Sequence, residues 1–203
     1  MPRNKEGNQR IKEERRQQIL SNALLLFTQK GLAATKITDI AEASKISQGL
    51  MYHYFKSKEE VYIELIRTSF NSLNEACRWL LRQSLPPQDK IRLAIQELLK
   101  GLEQNEDNSR YHFLIAQATS SEAIPEEAKD IIKKENTFPY EAIATIIAEG
   151  QNNGSIKMYD TKELAMVFWT SINGLAIHKA VHGSKFKAPD ANILINMFWK
   201  EEP

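Results

Sequence analysis

The stretch Thr35-Lys-Ile-Thr-Asp-Ile-Ala-Glu-Ala-Ser-Lys-Ile-Ser-Gln-Gly-Leu-Met-Tyr-His-Tyr-Phe-Lys-Ser-Lys58 constrains this chain more than any other. Hydroxyl residues punctuate it. Thr35 can cap one short helix and Ser47 a second, since a side-chain oxygen there takes a backbone N–H that a helix start leaves unpaired. Lys45-Ile46 makes the turn between them. Ile37, Ile40, Ala41 and Ser44 share one side of the first helix, with Ala41 small enough for the two helices to cross. Ile40, Ile46 and Met51 supply the contact, and Tyr54 and Phe55 close the unit against an earlier helix, at Phe27. Ser57-Lys-Glu-Glu60 is a capping box, so another helix follows at once and ties the unit to the rest of the chain.

The remainder reads as helices by the same signs. Residues 1–11 are polar and are expected to form a flexible tail. A helix from about Lys12 to Lys30 places Ile19, Ala23, Leu26 and Phe27 on one face, and Gly31 is its natural stop. Beyond the capping box the helical period continues through Leu81. Pro86-Pro87 opens a helix carrying Ile91, Ile95, Leu98, Leu99 and Leu102. Asn105 to Asn108 reads as a loop, and Ser109 to Thr119 as a shorter helix. Pro125 opens a long one that Pro139 should bend or break. Asp160-Thr-Lys-Glu163 is a second capping box, for a helix to about His182. Pro189 opens a last helix through Trp199. Strand-like alternation is absent from the sequence. The expected fold is all-α, with about nine helices: a helix-turn-helix domain over 12–57 and a larger helical domain over 58–203.

Charge separates these two parts. Residues 1–58 hold eleven Lys and Arg against five Asp and Glu, a net of +6, while the remainder carries a net of −5. A basic head on an acidic body suits a polyanion at one end only. The single Cys77 rules out an internal disulfide and fits a reducing compartment. No apolar run resembles a signal peptide, and none reaches the roughly 18 uncharged residues of a membrane span, so a cytoplasmic protein without a membrane partner is expected.

A small basic two-helix unit can lay one helix in the major groove of DNA. Its outward positions are then Lys36, Thr38, Lys45, Ser47, Gln48, Gly49, Leu50, Tyr52 and His53. Gln48 can bond a base edge, Gly49 lets the backbone approach the groove floor, and Leu50 can touch a thymine methyl. Tyr52 and His53 reach phosphates. Thr38 and Lys58 lie at helix starts, where backbone amides also favour phosphate.

From Ile19 to Val61 the chain resembles the DNA-binding domain of TetR-family transcriptional repressors. The resemblance rests on Phe27-x-x-x-Gly31, on Ile40-Ala41-x-Ala43, and on Ser47-x-Gly49-x-x-Tyr52-x-Tyr54-Phe55-x-x-Lys58. It implies a homodimeric repressor with DNA-binding heads on a ligand-binding body. One departure stands out: such turns usually carry glycine where this chain has Lys45, and a left-handed residue costs lysine about 1 kcal/mol.

In the body, the last two helices are apolar on more sides than one buried face requires. Phe168, Ile172, Leu175, Ile193, Met197 and Phe198 are the candidate dimer interface, with Gly174 permitting close approach. A helix central to the monomer is the alternative. The middle helices offer Phe70, Trp79, Tyr111, His112, Phe113, Phe138, Tyr140, Met166 and Trp169, with few polar groups beside Asn173. Phe70, Trp79, His112, Phe113, Met166, Trp169 and Asn173 form the candidate pocket for a small, largely hydrophobic effector. His178 and His182 are four apart, as metal ligands can be, yet no cysteine or carboxylate lies at a matching short spacing. The chain contains no Gly-x-Ser-x-Gly, phosphate loop or dinucleotide fingerprint, so neither an enzyme nor a cofactor is expected. A DNA-binding regulator without an effector and a helical interaction module without DNA remain as rivals.

Overall fold

The computed structural model describes residues 3–199. Among them are ten α-helices: α1 (Arg3–Ala34), α2 (Ile37–Ala43), α3 (Gln48–Tyr54), α4 (Lys58–Leu81), α5 (Pro87–Gln104), α6 (Glu106–Thr119), α7 (Glu126–Glu135), α8 (Thr137–Asn152), α9 (Thr161–His182) and α10 (Ala191–Ile195). The only β-type pairing among the described residues is one isolated bridge between Ile156 and Trp199. The fold is all-α.

Several boundaries differ from the sequence reading, each for a local reason. Helix α1 starts at Arg3 rather than Lys12, so residues 3–11 of the expected tail are helical, while residues 1–2 lie outside the described residues. Pairs one turn apart run along its solvated start, among them Arg10–Glu14 at 3.4 Å and Gln17 donating to Glu13 at 2.8 Å. Helix α6 starts at Glu106 because Asn105 caps it, accepting from the Asp107 N–H at 2.9 Å, and the expected loop shrinks to that residue.

The long helix after Pro125 breaks at Asn136, upstream of Pro139. A proline ring collides with the carbonyl four residues back, here Glu135, so the first helix must end there. Pro139 then sits in the first turn of α8, where no intrahelical N–H is needed.

The last helix is much shorter than expected. It ends at Ile195, and the chain turns so that the Phe198 carbonyl accepts from the Lys157 N–H at 2.9 Å. Helix α9 carries an 18-residue window with mean hydropathy 1.2, enough by length and composition for a span, which the sequence reading did not anticipate. It packs against α6 and α8, with Leu164, Ala165, Phe168, Trp169, Ile172 and Ala176 buried.

Two cores share α4. Its first half sends Val61, Leu65, Ile66 and Phe70 into a core with Phe27, Ile40, Met51 and Phe55, which α6 and α7 complete through Leu114, Ala118, Ala128 and Ile132. Its second half sends Cys77 and Leu80 into a core with α5, α8, α9 and α10. A single helix therefore enters both apolar interiors.

Candidate nucleic-acid interface and effector cavity

The head is set by what its two short helices bury. Ile40, Ala41 and Ser44 of the first helix and its end turn inward, as do Met51 and Phe55 around α3. The Asn22 amide donates to the buried Ser44 hydroxyl at 3.3 Å, fixing α2 on α1. Phe27 is fully buried, but its aromatic partner is Tyr62 of α4, edge to face at 5.3 Å. Phe55 is covered by the Arg16 guanidinium, 5.1 Å from the ring centre. The closing contact is therefore shared with α4, and Phe27 and Phe55 are not ring partners.

The caps are also partly reassigned. Ser47 caps α3 as expected, its hydroxyl accepting from the Leu50 N–H at 3.2 Å. Thr35 does not cap α2. It is buried and donates to the Gly31 carbonyl at 2.7 Å, closing the end of α1, where Gly31 has φ 77°. Asp39 caps α2 instead, accepting from the Lys36 N–H at 3.2 Å. Ser57 caps α4 through the Glu60 N–H at 3.2 Å, and the Glu60 carboxylate accepts from Lys56 N–H at 2.5 Å.

Lys45 adopts the left-handed conformation, with φ 54°, alone among the described non-glycine residues. The reason is the turn itself. The Ile46 N–H donates to the Ala41 carbonyl at 3.1 Å and the Lys45 N–H to the Glu42 carbonyl at 3.0 Å. This paired pattern at a helix end places its outer residue at positive φ, whichever side chain it carries.

Because Met51 points inward, the remaining face of α3 is free. Gln48, Gly49, Leu50, Tyr52 and His53 are all exposed, as are Lys36, Thr38, Lys45 and Ser47. Leu50 and Tyr52 are 40% and 50% exposed, unusually open for their size. Lys58 is half-buried. Its ammonium donates to the Leu32 and Ala33 carbonyls at 2.8 and 3.1 Å, closing the C-terminus of α1. These two bonds join α4 to α1, a structural role that the sequence reading of Lys58 as a phosphate contact did not include. No residue type distinguishes the two roles, and only the approach of the two helix ends decides.

Residues 19–65 match the family model of bacterial regulatory proteins, tetR family. These residues are a TetR-family domain. It is 29% identical over 157 residues to the transcriptional repressor KstR2 of Rhodococcus jostii, covering 77% of this chain and 75% of that protein. It is 27% identical over 110 residues to the transcriptional activator FasR of Mycolicibacterium smegmatis, covering 54% of this chain but only 50% of that one. The structure of the ketosteroid transcriptional regulator KstR2 of Mycobacterium tuberculosis superposes with a TM-score of 0.74 at 20% identity, over 92% of this chain and 96% of that one.

The body carries a partly open cavity of about 290 Å³, walled by α4, α5, α6, α8 and α9. Four of the expected effector residues, Phe70, His112, Trp169 and Asn173, line it together. Trp79 lines a second cavity of about 250 Å³ that shares Leu73, Ala76, Glu97, Leu98 and Trp169 with the first. Two expected residues are corrected. Phe113 points to a separate hollow beside α1, and Met166 is 51% exposed on the outer face of α9. Residues on one helix face diverge once neighbouring helices cross it at different angles, so spacing alone could not assign them.

The polar floor of the first cavity is a pair. His112 Nδ1 and Asn173 Oδ1 lie 2.8 Å apart, joining α6 to α9. The amide oxygen accepts, so Nδ1 carries the proton and Nε2 is left as an acceptor. Burial lowers the imidazole below its ordinary range, against the opposing effect of the Asn173 bond. Tyr111 and Tyr140 also line the cavity, and burial raises both phenols, with the Asp107 charge adding to Tyr111. Trp169 is anchored by its indole N–H, which donates to the Pro139 carbonyl at 3.0 Å.

The candidate dimer residues divide. Phe168, Ile172 and Phe198 are buried within the protomer and belong to its second core. These three are corrected to core, because α10 packs on α5 and the chain beyond it brings Phe198 against Phe168 at 6.1 Å. Leu175 is half-buried, and Ile193 and Met197 are 63% and 42% exposed. The outward stripe of α9 is instead Met166, Thr170, Gly174, Ile177 and Val181. Their four- and three-residue spacing is visible in the sequence, but it competes there with the equally regular core stripe.

Proposed function

We propose that the protein is a homodimeric DNA-binding regulator, a repressor released from a palindromic operator by a small, largely hydrophobic effector. The observation that carries this reading is the outward face of α3. Met51 anchors that helix from within, and Gln48, Gly49, Leu50, Tyr52 and His53 are left free to enter a major groove. Residues 12–57 act as the DNA-binding domain and 58–203 as the body. The apolar stripe of α9, with Ile193 and Met197, supplies the surface for a second copy, and two-fold pairing places two recognition helices on matched half-sites. The similarity to KstR2, named a repressor, supports the sign of regulation.

Helix α4 couples the two parts. Phe70 lies on the cavity wall, while Val61 and Leu65 of the same helix pack in the head core. Arg16 of α1 meets Glu64 at 3.0 Å, and Arg67 links Glu64 to Glu127 of α7 at 3.0 and 2.5 Å. An effector that moves α4 therefore moves the head, and the matched spacing of the two recognition helices is lost. The test is selection of bound fragments from the source genome, followed by gel shifts across a salt series. A common palindromic site with a steep salt dependence is expected. Absence of any salt-sensitive shift would overturn the reading, and a shift that Tyr52→Ala leaves untouched would remove α3 from it.

A further inference from the structure

The charge of the effector follows from the walls of the two adjoining cavities, given the effector reading above. No lysine or arginine lines either one among the described residues. Glu97, common to both, is the one charged side chain on the walls; it is 60% exposed at the rim and faces Lys100 there at 3.8 Å, so its charge is already matched in solvent. The polar groups on the first cavity's walls are the His112–Asn173 pair, Tyr111, Tyr140, Asn108 and Asn136, with the hydroxyls of Thr68, Ser69 and Ser72 from α4. Neither phenol has a hydrogen-bond partner among the described residues, and His112 Nε2 is free to accept. Such a set offers both donors and an acceptor, and the only charges near it, Glu97 and Lys100, pair with each other at the solvated rim. Beyond the shared wall of Leu73, Leu98 and Trp169, the second cavity is lined by Cys77, Leu80, Leu93, Ile143 and Phe168. Burial pushes the Cys77 thiol up to about 11, so it too stays uncharged.

We infer that the effector is an uncharged amphiphile, with a hydroxyl, carbonyl or ester head at His112 and Asn173 and a hydrocarbon portion lying against Leu73, Leu98 and Trp169. A carboxylate or phosphate head would lose its water with no cation to replace it, which is costly. A neutral head exchanges its water for the imidazole and amide groups at little cost. The hydrocarbon portion gains from leaving water in proportion to its area.

The experiment compares decanol, methyl decanoate, decanoate and decylammonium on the full-length protein, below their micelle thresholds. Binding is read by indole fluorescence, since Trp169 and Trp79 lie on the cavity walls. The two neutral probes are expected to bind at least about tenfold more tightly than either charged one. Equal or tighter binding of decanoate or decylammonium, or no binding of the neutral pair, overturns the inference. Asn108→Lys places a cation on the wall of the first cavity and is expected to reverse the order, raising decanoate above decanol. A variant that stays folded by circular dichroism and keeps the original order counts against the head placement. Gel shifts with the selected operator are run in parallel. Neutral probes that bind without releasing operator leave this inference standing and remove the regulatory reading instead.

Discussion

The outer face of α3 and the cavity beneath α4 are both places where side chains are left over, but for opposite reasons. On α3 the core takes Met51 and solvent receives the rest, so the candidate reading surface is what packing does not need. In the body five helices meet around His112, Asn173 and Trp169, and the cavity is where packing fails to fill space. The first is a local consequence of a 3.6-residue period on a seven-residue helix. The second depends on how distant helices cross. A substitution on the α3 face should therefore change binding and leave stability alone, whereas one beneath it should change both.

The largest expected effect is at Phe27 of α1, which is fully buried in the head core against Tyr62 of α4. Phe27→Ala should cost about 3–5 kcal/mol in chemical denaturation, and operator binding should vanish with the fold of the head. A loss under about 1 kcal/mol would mean that the head core is not the one described.

Lys58 draws the boundary between the two kinds of residue. Lys58→Met removes a charged donor from the Leu32 and Ala33 carbonyls and should cost about 1.5–3 kcal/mol of stability. The slope of operator affinity against salt should not change. A slope reduced by about one unit would return Lys58 to the phosphate contacts.

Gln48→Ala tests the opposite case. Thermal unfolding should be unmoved, while affinity for the preferred operator falls by about 1–3 kcal/mol and preference at one base position relaxes. A uniform loss across all sequences would place Gln48 on phosphate instead.

Lys45→Gly should stabilise the protein by about 1 kcal/mol, since glycine adopts φ 54° without the penalty a side chain carries. If denaturation shows no gain, contacts of the Lys45 side chain compensate for its backbone.

The smallest effect concerns pH. Burial holds His112 below the ordinary imidazole value of 6.5, so the unfolded chain takes up this proton first as pH falls. Its contribution is full above 6.5 and is lost progressively below it, down to the depressed folded value. Glu97, Tyr111 and Tyr140 share the cavity, and only Glu97 is a carboxylate. His112→Gln should flatten the decline in melting temperature between pH 7 and 5 relative to the parent. An unchanged slope would assign the decline to other groups.

What the sequence determined by itself was local. Ser47, Ser57 and Asp160 each accept from the N–H groups two or three residues on, because an N-cap needs only its own turn. Met51 facing in and Tyr52 facing out follow from the helical period, and the positive φ of Lys45 follows from the hydrogen bonds of a two-helix turn. Only the tertiary structure decided that Lys58 binds carbonyls of α1, that Phe198 and Ile172 are core, and that Phe113 and Met166 miss the cavity. Each of those outcomes turns on helices far apart in sequence, such as α9 lying across α6 and α10 folding back onto α5. An apolar side chain satisfies its own turn equally well in a core, an interface or a cavity wall, and the crossing angles of its neighbours choose among them.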